Sequence, residues 1–341
     1  MAKLLMIVTS ARLIRLADGK DHPTGYFVEE VLEPYETFAA AGGDLVIATL
    51  DGRSPQPDPW GLEPYFHYPQ VDEDFMFSVL RRFAYHPDRV RVTFTHFSEL
   101  NLVALRGVYL ALLETGMEPA QARGAVESAG QRAWRRTADL IELLVADAEM
   151  TSRLPVARIR EIGDRVQQAS RTNARRVVEA LAAIPGLQRP CRLGELTDEE
   201  ILSCDGVFFP GGHGPMVDMA DNAEVGRVLR LMHDAGKIIA ALCHGPAALL
   251  SAPEVDGAWL FDGYKMTAFT DEEEHQTKPG RVGLPWSLEA ALKSRGAIFD
   301  DGDAPWASHV VIDRNLITGQ NVGSSEAAAC ALLSVLEGGT A

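Results

Sequence analysis

A cysteine and a histidine, Cys243 and His244, stand side by side in the stretch "GKIIAALCHGPAAL". Such a pair can perform nucleophilic catalysis, because the imidazole can assist the transfer of the thiol's proton. The apolar run before the pair predicts a strand, and the alanine-rich segment after it predicts a helix. A nucleophile on the sharp turn between them needs small residues two positions before and after, and Ala241 and Gly245 meet that need.

The other cysteines give a different pattern. Cys204 and Cys330 stand in apolar contexts, and we interpret them as structural residues, as most isolated cysteines are. Cys243 is interpreted as a nucleophile, because a position near a helix N-terminus favours the thiolate over a free thiol of pKa about 8.5. The four cysteines show no paired or C-x-x-C spacing, which predicts reduced thiols rather than a disulfide framework or a zinc cluster.

A second stretch, "VFFPGGHGPMVDM", ends a strand-like run in two glycines, Gly211 and Gly212. Ligands in open α/β sheets bind at the carboxyl ends of the strands, where such a turn leaves backbone N–H groups free. We expect the N–H groups of Gly212 and His244 to stabilise the oxyanion formed when a thiolate adds to a carbonyl, with Gly211 beside them. His213 follows the turn and is interpreted as an exposed turn histidine rather than a ligand or a base.

Strands and helices alternate at both ends of the chain. Residues 3–10 predict a buried strand, an amphipathic helix runs up to Ala41, and an apolar run from Leu45 to Leu50 predicts the next strand. The same order recurs from "CDGVFFPGG" onward. This alternation predicts an α/β fold with a parallel sheet covered on both faces.

The segment 66–190 differs from both ends, with long helical stretches such as "SELNLVALRGVYLALLETG" and few strand-like runs. We predict a mostly helical insertion or cap over 66–190, and an α/β core formed by 1–65 and 191–341. A chain of 341 residues exceeds the usual size of one compact core, which agrees with this division.

Composition excludes several classes of protein. The chain is 46% hydrophobic and carries a net charge of −16, which predicts a folded protein that binds neither nucleic acid nor an anionic membrane surface. No apolar run reaches the length of a membrane span, so a cytoplasmic location is expected. His67, His86 and His96 have spacings that match no metal motif, and we interpret them as scattered surface histidines.

The order and spacing of "PGGHGP", "ALCHGP", "AFTDEEE" and "LITGQNVGSS" resemble the ThiJ/PfpI superfamily. The segment "TGYFVEEVLEPY" resembles the heat-shock-protein-31-like branch, which includes glutathione-independent glyoxalases (glyoxalase III). The resemblance covers roughly residues 1–60 and 195–341 and implies a flavodoxin-like sandwich of the class I glutamine amidotransferase-like type. The helical insertion lies outside it.

The resemblance also assigns residues to roles. It places Glu30 at the position of the active-site glutamate, with Glu29 as the adjacent alternative. It makes Glu274 the best third member beside Cys243 and His244, with Asp271 next.

The resemblance, taken with these residues, favours a lyase of the D-lactate dehydratase type acting on a small aldehyde. Cys243 would add to an α-oxoaldehyde such as methylglyoxal, and Glu30 would move a proton from C1 to C2 through an enediol. Hydrolysis would then release a 2-hydroxy acid, with His244 and Glu274 assisting, and neither a metal nor an organic cofactor is required.

Other functions stay open at the level of sequence. One alternative is a stress-related chaperone or a redox-sensing binding protein that uses Cys243. Another keeps the cysteine but changes the reaction, to that of a deglycase, a hydratase or a peptidase. The resemblance allows a homodimer, whose interface the insertion could either create or block.

Overall fold

The computed structural model describes residues 2–63, 66–67, 99–134 and 140–338. The chain divides into two compact units. One, the α/β unit, consists of Met1–Leu62 and Val177–Ala341, and the other, the helical unit, consists of Glu63–Arg176. Residues 68–98 and 135–139 of the predicted insertion, with His86 and His96, lie outside the described residues. The boundaries predicted for the insertion therefore stay predictions.

Strands occur in the α/β unit. In chain order, the described residues form thirteen strands: β1 Lys3–Val8, β2 Leu13–Arg15, β3 Asp21–Pro23, β4 Asp44–Thr49, β5 Cys191–Arg192, β6 Gly206–Phe209, β7 Ile238–Leu242, β8 Glu254–Val255, β9 Ala258–Trp259, β10 Lys265–Met266, β11 Ile298–Phe299, β12 Val310–Asp313 and β13 Leu316–Gly319. Seven of them form the central sheet, in the order β5-β4-β1-β6-β7-β13-β12.

The central sheet is parallel except at one edge, where β12 runs antiparallel to β13. This confirms the predicted α/β fold class with a mostly parallel sheet. The carboxyl ends of β6, β7 and β13 are neighbours, because Phe209 pairs with Ala241 and Leu242 pairs with Gly319. These three ends form the edge at which the loops after the strands meet.

Both faces of the sheet are buried, as a parallel sheet between helices requires. In β1, Leu4, Met6 and Val8 belong to one core cluster. Leu5 and Ile7, which alternate with them, belong to the other. Successive side chains of a strand point to opposite faces, so the apolar run of β1 supplies both cores at once.

Helices cover these faces and also form the second unit. The described residues form fourteen α-helices: α1 Val28–Ala40, α2 Glu99–Glu114, α3 Pro119–Trp134, α4 Leu140–Ala146, α5 Ala148–Thr151, α6 Val156–Ala183, α7 Pro185–Gln188, α8 Asp198–Leu202, α9 Pro215–Asp218, α10 Ala223–Asp234, α11 Asp271–Glu274, α12 Lys278–Val282, α13 Leu288–Ser294 and α14 Ser325–Leu336. Four 3-10 helices are Pro59–Leu62, Leu193–Glu195, Gly245–Ser251 and Val322–Ser324.

Helix α10 shows why these segments are helical. The Asn222 side chain caps its first turn by accepting from the N–H groups of Glu224 and Val225. Val225, Val228, Leu229 and Met232 are all buried, and their spacing places them on one face of a helix. That face belongs to the same core cluster as Leu5 and Ile7.

The helical unit has a hydrophobic core of its own. Residues of α2 to α6 bury their apolar side chains against one another, among them Leu105, Leu112, Val126, Leu144 and Ile159. A separate core is the mark of a unit that is stabilised by its own packing.

The structure also bears on predictions about burial and about membrane spans. Cys204 is buried, but Cys330 is exposed on α14, so its interpretation as a structural core residue is wrong. His67 is 6% exposed, so it is not a surface histidine. No helix among the described residues combines the length and apolar character needed to cross a membrane. The expected cytoplasmic location, the homodimer and the exclusion of nucleic acid stay predictions.

Candidate active site

The candidate nucleophile lies on the turn that follows β7. Cys243 has a φ of 60°, the left-handed conformation that a non-glycine residue rarely adopts. Two hydrogen bonds hold it there: its N–H donates to Gly319 O at 2.9 Å, and its carbonyl accepts from Phe269 N–H at 2.8 Å. Strain of this kind costs about 1 to 3 kcal/mol and persists only where the surroundings enforce it. The sheet therefore presents Cys243 at its carboxyl edge.

Close packing explains the small residue after the turn. A Cβ atom on Gly245 would lie 2.1 Å from the carbonyl oxygen of Phe209, so no larger residue fits without a backbone shift. This is the steric demand from which the sequence predicted the turn. The element that follows is a seven-residue 3-10 helix rather than an α-helix.

The Cys243 thiol is less acidic than the sequence suggested. Burial raises the pKa of Cys243 well above its ordinary value, and the charge and hydrogen bond of Glu30 raise it further. The N–H of Gly212 acts in the opposite direction and does not compensate. The expected thiolate at a helix N-terminus is therefore wrong for the free protein, because desolvation outweighs the local dipoles.

Glu30 lies in the first turn of α1 and is completely buried. Its Oε2 accepts from the N–H of Gly211 at 2.7 Å, its carboxyl group contacts the Cys243 thiol, and its Oε1 has no hydrogen-bond partner. Burial raises the pKa of Glu30 to about 8, against the effect of these two contacts. The structure thus places Glu30, rather than Glu29, at the thiol, where the two groups titrate as a pair.

His244 connects the thiol to a carboxylate. Its Nδ1 lies 3.3 Å from Cys243 Sγ, and its Nε2 lies 2.7 Å from Oε2 of Glu274. Burial lowers the pKa of His244, and the charge of His213 lowers it further. Asp271, the alternative to Glu274, instead accepts a hydrogen bond from the Ser287 hydroxyl.

The interpretation of His213 as an exposed turn histidine is wrong, because His213 is 3% exposed. Its Nε2 lies 3.0 Å from Oε1 of Glu274, and its ring centroid is 4.3 Å from that of His244. The sequence contains a feature that could have predicted this position. The stretch "GGHG" follows β6, and β6 is the neighbour of β7, which ends one residue before Cys243.

Glu274 is hydrogen-bonded to both His213 and His244. Burial acts to raise the pKa of Glu274, but the charge of His213 and the hydrogen bonds from both histidines outweigh it and hold the pKa well below its usual range. The Thr277 hydroxyl also donates to its Oε1, at 2.7 Å. Glu274 is therefore an ionised acceptor shared by two imidazoles.

The glycine turn after β6 supplies some of the predicted oxyanion donors. The N–H of Gly211 is committed to Glu30, so Gly211 does not serve as a donor to substrate. The N–H of Gly212 faces the Cys243 sulfur. No backbone hydrogen bond found in the described residues uses the N–H of His244. The oxyanion roles of Gly212 and His244 stay predictions.

Four aromatic side chains form a series of ring contacts that begins at His244. Phe269 lies 4.6 Å from His244, Trp306 lies 5.3 Å from Phe269, Trp60 lies 6.5 Å from Trp306, and Phe27 lies 6.0 Å from Trp60, all measured between ring centroids. We call these four residues the aromatic arc. It provides an apolar wall beside the polar group.

A buried carboxylate that the sequence analysis did not single out fixes this arc. Glu273 Oε1 accepts from Trp306 N–H at 2.7 Å, from Gln320 at 3.0 Å and from Asn321 at 2.7 Å. Trp306 has a φ of 64°, and its indole N–H donates to Gln276. Glu273 thus joins the loops "AFTDEEE" and "LITGQNVGSS", which explains why both stretches lie at the site.

In the described residues, three side chains of types that can bind a metal ion lie close together. Atoms of His213, His244 and Glu274 lie within 4.8 Å of one another. Both Nε2 atoms are hydrogen-bonded to the carboxylate, so this is a closed hydrogen-bonded set. The sequence expectation that no metal or cofactor is required stays a prediction.

Two curated proteins resemble part of the chain. Glutamine amidotransferase-like class 1 domain-containing protein 1 of Bos taurus is 39% identical over 119 residues, which are 35% of this chain and 53% of that protein. Glyoxalase 3 of Candida albicans is 28% identical over 138 residues, which are 39% of this chain and 58% of that protein. The chain spans about half the length of the curated relatives it matches.

The fold also has solved counterparts. The crystal structure of glyoxalase III from Candida albicans matches with a TM-score of 0.55 and 19% identity, over 98% of this chain and 96% of that one. This similarity confirms the fold implied by the sequence resemblance. The model of the DJ-1/PfpI family matches residues 144–335, more than half of the chain, which therefore belongs to the DJ-1/PfpI family.

Proposed function

We propose that this protein converts small α-oxoaldehydes into 2-hydroxy acids through Cys243, without glutathione, as a glyoxalase III-type lyase. The observation that carries the proposal is the meeting of a strained thiol, a buried carboxyl group of raised pKa and a carboxylate-bound histidine at one turn. The similarity to glyoxalase 3 of Candida albicans supports the same choice.

The first step joins Cys243 to the substrate. In the reactive form the pair of Cys243 and Glu30 holds one proton, which resides on Glu30 when the sulfur is a thiolate. The sulfur forms a bond to C1 of the aldehyde, and the electron pair of the C1 carbonyl moves to its oxygen. The N–H groups of Gly212 and His244 stabilise this oxyanion, and Glu30 then gives it the proton.

The second step moves hydrogen from C1 to C2. Glu30, now ionised, takes the C1 proton, so that a C1–C2 double bond forms and negative charge moves to the C2 oxygen. Glu30 returns the proton to C2, and His244 carries the C1 hydroxyl proton to the C2 oxygen. The product is a thioester of a 2-hydroxy acid on Cys243. The unpartnered Oε1 of Glu30 is the atom suited to this transfer.

Hydrolysis completes the cycle. His244 accepts a proton from water, the hydroxide adds to C1, and the C1–S bond breaks with its electron pair returning to sulfur. The hydrogen bond between Nε2 and Glu274 orients His244 for this transfer. One water is consumed, and a 2-hydroxy acid is released.

The aromatic arc bears on the kind of substrate. An apolar group attached to C2 would lie against Phe269 and Trp306, which begin the arc beside His244. Charged groups at that position would lose hydration without gaining a partner. The substrate class is therefore an α-oxoaldehyde with a small apolar or aromatic substituent.

The test is lactate formation from methylglyoxal without glutathione. We expect turnover in the wild type, and loss of turnover in Cys243→Ala and Glu30→Gln. In the wild type, kcat/KM should rise with pH towards about 8, because the pair of Cys243 and Glu30 must lose one proton to react.

The matched control is Cys330→Ala, which removes an exposed thiol on α14 and should leave turnover unchanged. Thermal unfolding establishes that each variant is folded. Lactate formation by folded Cys243→Ala, or none by the folded wild type, would contradict the proposal.

A further inference from the structure

One carboxylate serves two buried histidines in this site. Glu274 uses Oε1 for His213 and Oε2 for His244, at 3.0 and 2.7 Å. The side chains of the histidines are 4% and 3% exposed. A single negative charge balances one imidazolium, and a second imidazolium in the same buried space would be unfavourable. The geometry therefore disfavours the state in which both histidines are charged.

Contacts on the other side of His244 indicate which histidine is neutral. Its Nδ1 faces Cys243 Sγ, while its Nε2 faces Glu274. If Nε2 carries the proton and donates to the carboxylate, Nδ1 has a free lone pair directed at the thiol. A doubly protonated ring would leave Nδ1 unable to accept a proton in the steps proposed for His244.

We propose that His213 is the resident cation of the site, a positioning residue that balances Glu274 and thereby keeps His244 neutral with Nδ1 open to Cys243. The catalytic consequence rests on the proposed function, whereas the charge assignment does not. His213 acts through Glu274 and His244.

The surrounding charges support this assignment. Burial acts to lower the pKa of His213, but the charge and hydrogen bond of Glu274 leave it raised. Asp58, which is 3% exposed and accepts hydrogen bonds from Thr24 and Trp60, acts to raise the pKa of both His213 and His244.

On the thiol side, His244 contacts Cys243, and the charges of Glu30 and Glu273 act on that thiol. The pKa values of Cys243 and Glu30 are both raised, so at neutral pH this pair supplies no negative charge that would hold a proton on His244. The negative charge of Glu274 therefore balances a positive charge on His213.

The direct test is the titration of the histidine rings in the wild-type protein by nitrogen and carbon NMR. We expect His213 to lose its proton at a higher pH than His244, and His244 to show one protonated nitrogen, Nε2, where His213 is charged. A His213 that is neutral at pH 7, whether or not His244 is charged, would overturn the proposal. This result needs neither a variant nor an active enzyme.

The decisive variant is His213→Gln. The glutamine amide can donate to Oε1 of Glu274, as Nε2 of His213 does, but it carries no charge. We expect the pKa of His244 to rise by about 1 to 3 units, the usual effect of a charge within 4 to 6 Å. His213→Asn is a second uncharged variant, for the case in which the longer amide prevents folding.

The control variant is His233→Gln. His233 lies on helix α10, and its Nε2 lies 3.0 Å from the Tyr264 hydroxyl oxygen. We expect the titration of His244 to stay at its wild-type value in this variant. An unchanged His244 titration in His213→Gln would refute the charge assignment.

Kinetics separate this proposal from the proposed function. If the wild type turns over methylglyoxal, kcat/KM of His213→Gln should fall more steeply below pH 7 than in the wild type, because His244 must then lose a proton as well as the pair of Cys243 and Glu30. A lost hydrogen bond alone would lower the rate equally at every pH. If the wild type is inactive, the proposed function fails, and the NMR titration still decides the charge of His213.

Discussion

Glu30 carries a stability cost that a conservative substitution should remove. In the folded protein burial raises its pKa from the ordinary value of 4.5 to about 8. Between these two pH values the folded chain holds a proton that the unfolded chain releases. The free energy of unfolding therefore falls as pH rises through this window, by up to about 1.4 kcal/mol per pH unit.

Glu30→Gln makes this side chain neutral at every pH. At pH 7 the wild-type carboxyl must stay protonated about 2.5 units above its unfolded pKa, which costs about 3 kcal/mol. Glutamine can keep the hydrogen bond from Gly211, but its amide donors face the thiol and lack an acceptor, which costs about 1 to 3 kcal/mol at any pH. The advantage of the variant should therefore grow from pH 5 to pH 8.

Urea unfolding of both proteins at several pH values measures this difference. The expected result is a gap between variant and wild type that widens by about 1.4 kcal/mol per pH unit and levels off near pH 8. Glu36→Gln, on the exposed side of the same helix, controls for the loss of an acid from α1. A gap for Glu30→Gln that is constant from pH 5 to pH 8 would refute the assignment of a raised pKa.

Two further substitutions test the turn and the arc. Gly245→Ala should lower the free energy of unfolding by about 1 to 3 kcal/mol or more, because its Cβ would lie 2.1 Å from Phe209 O; a urea midpoint equal to that of the wild type would contradict this contact. Trp306→Ala should lower kcat/KM for phenylglyoxal about 2- to 12-fold more than for methylglyoxal, because an aromatic pair contributes about 0.5 to 1.5 kcal/mol. Equal losses for the two aldehydes would show that the substituent does not contact the arc.

Local features of the sequence were sufficient for much of the fold. The run of β1 is apolar on both faces, which identifies a strand inside a parallel sheet, and the structure has that strand at Lys3–Val8. Strand β10 could not be predicted in the same way, because it is two residues long and pairs with β11 outside the central sheet. Two-residue strands depend on what lies beside them, and periodicity cannot supply that.

The sequence by itself determined the turn at Cys243, because the small residues it needs are neighbours in the chain and their sizes follow from local geometry. It also brought Glu30, His244 and Glu274 into consideration through the resemblance of their surrounding stretches. The burial of His213, the commitment of Gly211 N–H to Glu30 and the raised pKa of the thiol were decided only by the tertiary structure. Each depends on groups that are distant in the chain. These groups exclude water from the site only when the loops after β6 and β7 and helix α11 come together in the fold.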